Sequence, residues 1–214
     1  MPTVTLDALD LAALLCSKVC HDVISPVGAI VNGLEVLEEE KDESMRGFAQ
    51  DLIKKSAKQA SARLQFARLA FGAAGSAGAA IDTGDAEQVA RGFIQDDRTS
   101  LSWDMPRVLL PKNRVKLLLN LLVLAGTTIP RGGSIAVKGT VDGERAEFRI
   151  TTRGINPRIP PHVEALLAGE PESGTVDSHA VQPFYTGLIA RAAGMKVSLV
   201  LEGEGVAIEA LPTA

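Results

Sequence analysis

His21 is the side chain in this sequence that is best placed to do chemistry, because of the residues that follow it. Asp22 comes next, and Pro26 lies five residues on. A histidine ring that is neutral near pH 7 offers a nucleophilic nitrogen, and a phosphoryl group on such a nitrogen transfers readily. The carboxylate of Asp22 could hold the other ring N–H and fix the tautomer. The pattern makes His21 a candidate nucleophile and Asp22 its candidate orienting group.

Pro26 affects the helix backbone next to His21. Proline has no N–H, so in a helix the carbonyl of Asp22, four residues earlier, loses its usual hydrogen-bond partner. The helix can therefore bend just after His21. Gly28 and Ala29 follow with little or no side chain, which leaves room for the backbone of a partner to approach.

The element that carries His21 is predicted to be a long helix. Apolar residues recur at three- and four-residue spacing over about 5–40 and again over about 43–71, and a short charged link at Lys41 and Asp42 joins the two stretches as a hairpin. At about 100° per residue, the apolar arc lies roughly opposite His21, which predicts that the ring faces solvent. The residues of this arc are Ala12, Leu15, Val19, Val23, Ile30, Leu34 and Leu37.

The side of the helix that carries His21 is mostly small or polar and is the candidate partner-binding surface. Its residues are Leu14, Ser17, Lys18, Ser25, Gly28 and Asn32. The apolar arc on the other side cannot be buried by two helices alone, because much of it would stay in water. We therefore predict a homodimer in which two hairpins form a four-helix bundle with twofold symmetry.

The rest of the chain is predicted to form a second domain. A run of small residues without periodicity, at 72–80, is predicted to be a linker, so that residues 1–75 form the dimerisation and phosphotransfer hairpin and residues 76–214 the second domain. Helical periodicity appears near 86–93, 113–125 and 184–193, and strand-like alternation at 134–138, 146–151, 196–201 and 206–210. This order predicts an α+β sandwich with mostly antiparallel strands.

The segment 20–27, Cys-His-Asp-Val-Ile-Ser-Pro-Val, resembles the H-box of sensor histidine kinases. In that family the phosphorylated histidine is followed by Asp or Glu and, five residues on, by Pro. Its position on the first helix of a hairpin strengthens the resemblance. The second domain would then correspond to the histidine-kinase ATP-binding domain, the Bergerat or GHKL-like fold.

The motifs of that ATP-binding domain are degenerate here. The segment 116–125 looks like the N-box, but only Asn120 matches, since Leu124 stands where the family has a second asparagine that helps to hold the nucleotide's metal. Thr152 stands where the family has the aspartate that reads adenine, followed by Gly154, and the glycine-rich lid is reduced to Gly187 and its neighbours. Without the carboxylate and the metal ligand, phosphoryl transfer from ATP lacks what it requires. We expect no ATP binding.

An intact H-box joined to a degenerate nucleotide pocket is similar to the dimeric histidine phosphotransferases, in particular the ChpT type of alphaproteobacterial cell-cycle phosphorelays. The resemblance implies that a receiver domain carrying phosphoaspartate docks on the bundle, that His21 takes the phosphoryl group, and that a second receiver removes it. The Mg²⁺ and lysine that neutralise the charge belong to the receiver, so the chain needs no cofactor of its own. The implied donor is the receiver of a CckA-like hybrid kinase, and the implied acceptors are CtrA-like and CpdR-like response regulators.

Two other functions remain open. A divergent but active histidine kinase would bind nucleotide and phosphorylate itself, and Leu124 and Thr152 argue against it. A non-catalytic dimeric scaffold would relay nothing through His21, and the H-box segment argues against that.

Composition and spacing exclude further classes. The net charge of −4, without a basic face, predicts no nucleic-acid partner. With no apolar run of roughly 20 residues and no secretory signal, we predict a cytoplasmic protein without a membrane segment. His162 and His179 have no partners at ligand spacing, so no metal site is expected. Cys16 and Cys20 lie in or beside the apolar arc and are expected to be buried free thiols.

Overall fold

The computed structural model describes residues 3–72, 79–143 and 145–213. Its first unit is the predicted hairpin of helices α1 (Ala8–Glu39) and α2 (Glu43–Ala70). Helix α1 begins slightly later than the periodicity predicts, because the carboxylate of Asp7 accepts hydrogen bonds of 2.8 Å from the backbone N–H groups of Leu9 and Asp10. This arrangement is a helix N-cap, which defines where the first turn starts.

The two helices of the hairpin approach closely where their facing residues are small. Gly33 of α1 is buried against α2, and a Cβ atom there would lie 2.7 Å from Ile53 Cγ1 and 3.3 Å from the Ala49 carbonyl oxygen. Pro26 is the other buried residue of α1. Most of the apolar surface of α1 is therefore not covered by α2, as expected for two helices alone.

The second domain combines helices with one larger and one smaller sheet. Its elements in chain order are β1 (Ala80–Asp82), α3 (Thr83–Ile94), β2 (Thr99–Asp104), β3 (Leu109–Pro111), α4 (Lys112–Thr128), β4 (Gly133–Asp142), β5 (Arg145–Gly154), α5 (Val163–Ala168), α6 (Val181–Ala192), β6 (Met195–Glu202) and β7 (Gly205–Pro212). The five-stranded sheet has the order β2-β4-β5-β7-β6, and β1 pairs with β3. All pairs are antiparallel except β2–β4. A hairpin followed by an α+β domain confirms the predicted fold class.

Four elements have no counterpart among the sequence-based predictions, and each is short or weakly patterned. Strand β2 is an edge strand in which only Leu101 is fully buried, so its apolar residues do not alternate clearly. Strands β1 and β3 have three residues each, and α5 has six. Such lengths are too short for a periodic pattern to develop.

Helix α4 lies at the centre of the core and joins the hairpin to the sheet. It contacts α2 on one side and strands β5 and β7 on the other, and for this reason most of its residues are buried. Phe66 and Ala70 of α2 belong to the same core, and the Phe66 ring stacks on Phe93 of α3 with centroids 4.0 Å apart. The hairpin is thereby held against the second domain. The predicted boundary at residues 75 and 76 lies outside the described residues and stays a prediction.

Among the helices of the described residues, α1 alone is long and apolar enough to cross a membrane by length and composition. Its most apolar 18-residue window has a mean hydropathy of 1.4 and is 6% buried in the protein. This is weak ground for a membrane span, because a helix whose apolar face meets another protein surface passes the same test.

Candidate functional site

His21 lies in the middle of α1 and projects into solvent. Its side chain is 82% exposed, as the helical spacing predicts. The rest of the predicted partner-binding surface is also accessible, with Ser17, Ser25 and Asn32 exposed and Leu14, Lys18 and Gly28 half-buried. Ser17 and Lys18 line the same cleft as the ring, whereas Leu14, Ser25, Gly28 and Asn32 extend along the helix. A partner can therefore reach His21 along one continuous helix face.

Asp22 is arranged differently from the sequence-based expectation. Its Oδ1 atom lies 3.9 Å from His21 Nδ1, which is too long for a hydrogen bond. Its Oδ2 atom instead accepts a hydrogen bond from Lys18 Nζ, one helical turn earlier. The structure therefore does not form the bond by which Asp22 was expected to orient the ring. The spacing of four residues on one helix is a sequence signal that could have predicted the pairing of Lys18 with Asp22.

The backbone of Asp22 has a partner that the sequence did not reveal. Pro26 deprives the Asp22 carbonyl of its helical N–H, and the guanidinium of Arg63, on α2, donates a hydrogen bond to this oxygen. The orphaned carbonyl was foreseeable from Pro26. Its partner was not, because 41 residues separate it from Asp22 along the chain.

A large cleft of about 910 Å³ separates the His21 face of α1 from the second domain. The far wall carries His162 and His179, so that all three histidines of the chain line one cavity. His162 Nδ1 lies 2.9 Å from Glu172 Oε2. The backbone N–H groups of Ala180 and His179 hold the pKa of Asp177 below its usual range. The far wall thus carries negative charge opposite Lys18 and His21.

Asn120, the residue that the sequence comparison matched to the N-box, is fully buried, and its side-chain amide is hydrogen-bonded within the protein. Its side-chain amide donates to the carbonyl oxygens of Ala70 at 3.1 Å and Lys116 at 2.8 Å, and its Oδ1 accepts from Gln182 Nε2 at 2.9 Å. Asn120 therefore ties α4 to the end of α2 and to α6. Leu124, one turn on, is 2% exposed and belongs to the core.

Thr152 and Gly154 are likewise occupied by internal contacts. Thr152 is buried at the position of the expected aspartate, and its hydroxyl forms a 2.8 Å hydrogen bond with the hydroxyl of Thr128. A Cβ atom on Gly154 would lie 2.6 Å from the carbonyl oxygen of Gly132. At both positions, groups of this chain fill the space beside the residue.

Gly187, which the sequence comparison matched to the glycine-rich lid, permits a close contact between α5 and α6. A Cβ atom there would lie 2.0 Å from the carbonyl oxygen of Leu167, and that oxygen also accepts a 2.8 Å hydrogen bond from Arg191. The glycine therefore has a packing role in this structure.

Replacing Gly187 by alanine is expected to lower the free energy of unfolding by about 2–3 kcal/mol, because the added methyl must displace backbone. Gly126→Ala in α4 is the matched control. No atom lies within 4 Å of the added carbon, and alanine favours the helix, so this change should raise stability by about 0.5–1 kcal/mol. Urea unfolding monitored by circular dichroism measures both. Equal stability of the two variants would contradict the close contact between Gly187 and the Leu167 backbone.

Cys16 and Cys20 are exposed in the single chain, so the expectation of buried thiols is wrong for this structure. They lie on an apolar surface of α1 that adjoins the predicted apolar arc and shares Leu34 with it, which we call the exposed apolar stripe. Its residues are Leu9, Ala13, Cys16, Cys20, Ile24, Val27, Val31 and Leu34. This stripe flanks His21, about a quarter turn round the helix from it. The part of the chain that the structure describes contains no group of three His, Cys, Asp or Glu residues suited to hold a metal ion.

The chain is similar to known phosphotransferases over nearly its whole length. A family model described as the histidine phosphotransferase C-terminal domain matches residues 83–205. The chain is 53% identical over 208 residues to the protein phosphotransferase ChpT of Brucella abortus (strain 2308), covering 97% of this chain and 98% of that protein. A bacterial phosphotransferase solved at 1.7 Å superposes with a TM-score of 0.89 at 50% identity, covering 98% of this chain and 100% of the other.

Proposed function

The chain belongs to the histidine phosphotransferases of two-component signalling, of the ChpT type, and from this premise we propose that His21 carries a phosphoryl group between receiver domains without drawing it from ATP. The observation that carries the proposal is the 82% exposure of the His21 side chain on an H-box-like helix, at the edge of a cleft of about 910 Å³. A receiver that reaches the ring enters this cleft and meets the second domain as well.

In the proposed reaction, the outer nitrogen of His21, Nε2, attacks the phosphorus of a receiver phosphoaspartate. The P–O bond to the aspartate breaks, the carboxylate leaves, and an N–P bond forms. The receiver's own Mg²⁺ and lysine neutralise the phosphoryl oxygens, and this chain supplies the nucleophile and its position. A second receiver takes the group through the reverse step, with its aspartate as the nucleophile.

The specific partners follow from the family resemblance. The donor is the receiver of a CckA-like hybrid histidine kinase, and the acceptors are CtrA-like and CpdR-like response regulators in a cytoplasmic, cell-cycle phosphorelay. The formal charge of −4 and the interspersed charges support protein partners over nucleic acid.

Independence from ATP is supported by the use of the former nucleotide positions for packing. The side-chain amide of Asn120 has three protein partners, and Leu124 is an apolar core residue where a metal ligand would be needed. The hydroxyl of Thr152 is bonded to Thr128. A carboxylate at that buried position would cost several kcal/mol unless it found a charged partner.

The proposal is tested by two incubations of the purified chain. In the first it is mixed with γ-labelled ATP and Mg²⁺, and in the second with a receiver domain that already carries label on its aspartate. We expect acid-labile label on the chain in the second mixture and none in the first. Label on the chain in the first mixture would show that it is an active kinase instead. If the chain carries no label in either mixture, the result supports the non-catalytic scaffold.

We further propose that the working form is a homodimer. The exposed apolar stripe of α1 includes Ile24 at 70% and Val31 at 48% exposure, and α2 adds Phe48 at 69%. Surfaces of this kind are covered in stable soluble proteins, and two hairpins side by side would cover them in a four-helix bundle. Such a bundle would also enclose Cys16 and Cys20.

A further inference from the structure

Arg63, on α2, forms a hydrogen bond with the turn of α1 that carries His21. Its guanidinium donates to the Asp22 carbonyl oxygen, which Pro26 leaves without a helical partner. We propose that Arg63 is a positioning residue for His21: by holding the backbone at the proline, it sets the direction in which the imidazole leaves the helix. This inference rests on the proposed relay through His21.

The surroundings of Asp22 make the backbone contact specific to Arg63. Lys18 binds the Asp22 carboxylate, so it is engaged elsewhere. Arg63 and Asp22 line a narrow gap of about 10 Å³ whose other walls include Phe66 and Phe93. That volume is about the least that one water molecule needs. With a side chain of similar length in place of Arg63, at most a single water molecule has room to replace the lost donor.

The imidazole depends on this backbone contact because little else holds it. In the described part of the chain, the charged group that approaches the ring is Asp22 Oδ1, at 3.9 Å. A side chain that is 82% exposed takes its position mainly from the backbone to which it is attached. In a regular helix the backbone is held by its own i to i+4 hydrogen bonds. At Asp22 one of these bonds is missing because Pro26 has no N–H, and Arg63 supplies the donor instead.

The test is a double-substitution cycle between Arg63 and Pro26. Arg63→Met removes the donor but keeps the bulk of the side chain. Pro26→Ala returns a backbone N–H to residue 26, which can then donate to Asp22 and make Arg63 redundant. Arg63→Lys keeps one donor, and Arg68→Met on the same helix is the matched control. All variants are full-length chains, with folding checked by circular dichroism.

The first readout is transfer from a receiver domain labelled on its aspartate. We expect Arg63→Met to lower kcat about tenfold while the KM for the receiver changes less than twofold, since the nucleophile is misplaced but the docking surface is kept. Arg63→Lys should retain at least a third of the rate, and Arg68→Met all of it. In the Pro26→Ala background, Arg63→Met should slow transfer less than twofold. An equal loss in both backgrounds, or a loss through KM alone, would overturn the inference.

The second readout needs no partner and separates this inference from the proposed function. The ring signals of His21 in ¹H–¹⁵N spectra should shift in Arg63→Met and return in the double variant, with His162 and His179 as internal references. Unmoved His21 signals would refute the positioning role even if relay through His21 is real. Conversely, if His21→Gln relays phosphate normally, the proposed function fails while these shifts can still report the backbone contact.

Discussion

Replacing His21 by glutamine is expected to lower transfer of label between receivers by more than about 1000-fold. Glutamine keeps a polar side chain on the helix but has no nucleophilic nitrogen, so no phosphorylated intermediate can form. Because the side chain is 82% exposed, the free energy of unfolding should change by less than about 0.5 kcal/mol. The measurement is loss of label from a phosphorylated donor receiver and its appearance on an acceptor.

The chain contains its own controls for this experiment. His162 and His179 line the same cleft and differ from His21 in standing on the second domain. In His162→Gln and His179→Gln, the chain should still become labelled, and the amount of label should stay within about threefold of normal. Neither ring is the proposed nucleophile. Full transfer by His21→Gln, or loss of transfer only when His162 or His179 is replaced, would move the reaction to another histidine.

The exposure of His21 was predictable because it depends on local geometry. The periodicity of α1 extends over many turns, and an angle counted along a regular helix needs no knowledge of the rest of the protein. The same holds for strands β4 and β5, in which buried and more exposed residues alternate along each strand. Long, regular elements were therefore predicted correctly, whereas β1, β2, β3 and α5 were missed.

The contacts around His21 were less predictable because they depend on distant residues. Arg63 meets Asp22 across the hairpin, and Thr128 meets Thr152 between a helix and a strand. Neither pair has a spacing that marks it in the sequence. Lys18 and Asp22 do have such a spacing, four residues on one helix. That pair was foreseeable, and it changes the expected role of Asp22 from holding the ring to pairing with lysine.

In the region predicted to be a degenerate nucleotide pocket, the structure adds information that the sequence does not contain. The resemblance of the sequence to the ATP-binding domain predicts that nucleotide-binding side chains are replaced at Leu124 and Thr152. The coordinates add that groups around these positions are used in the core: Asn120 bonds across three elements, and Gly187 lets two helices meet. A carboxylate restored at Thr152 alone would therefore lie among packed groups, at a cost of a few kcal/mol.

Replacing Ile24 by glutamate is expected to convert the proposed dimer into a monomer. Ile24 is 70% exposed in the single chain and lies in the exposed apolar stripe, so in the bundle it would meet the partner hairpin. Burying a carboxylate there costs about 2–3 kcal/mol, and twofold symmetry applies that cost twice. A total of about 4–6 kcal/mol weakens dimerisation by roughly 10³–10⁴-fold. Light scattering during size-exclusion chromatography over a concentration series measures the change.

Asn32→Glu is the matched control, because it adds the same charge to an exposed position of α1 that lies off the stripe; it should remain dimeric. The thiols give an independent readout. If the bundle covers the stripe, Cys16 and Cys20 react slowly with a thiol reagent in the unmodified chain and Asn32→Glu, and at least tenfold faster in Ile24→Glu. A chain that is monomeric before any substitution, or thiols that react equally fast in all three proteins, would show that the stripe meets something other than a second copy of this hairpin.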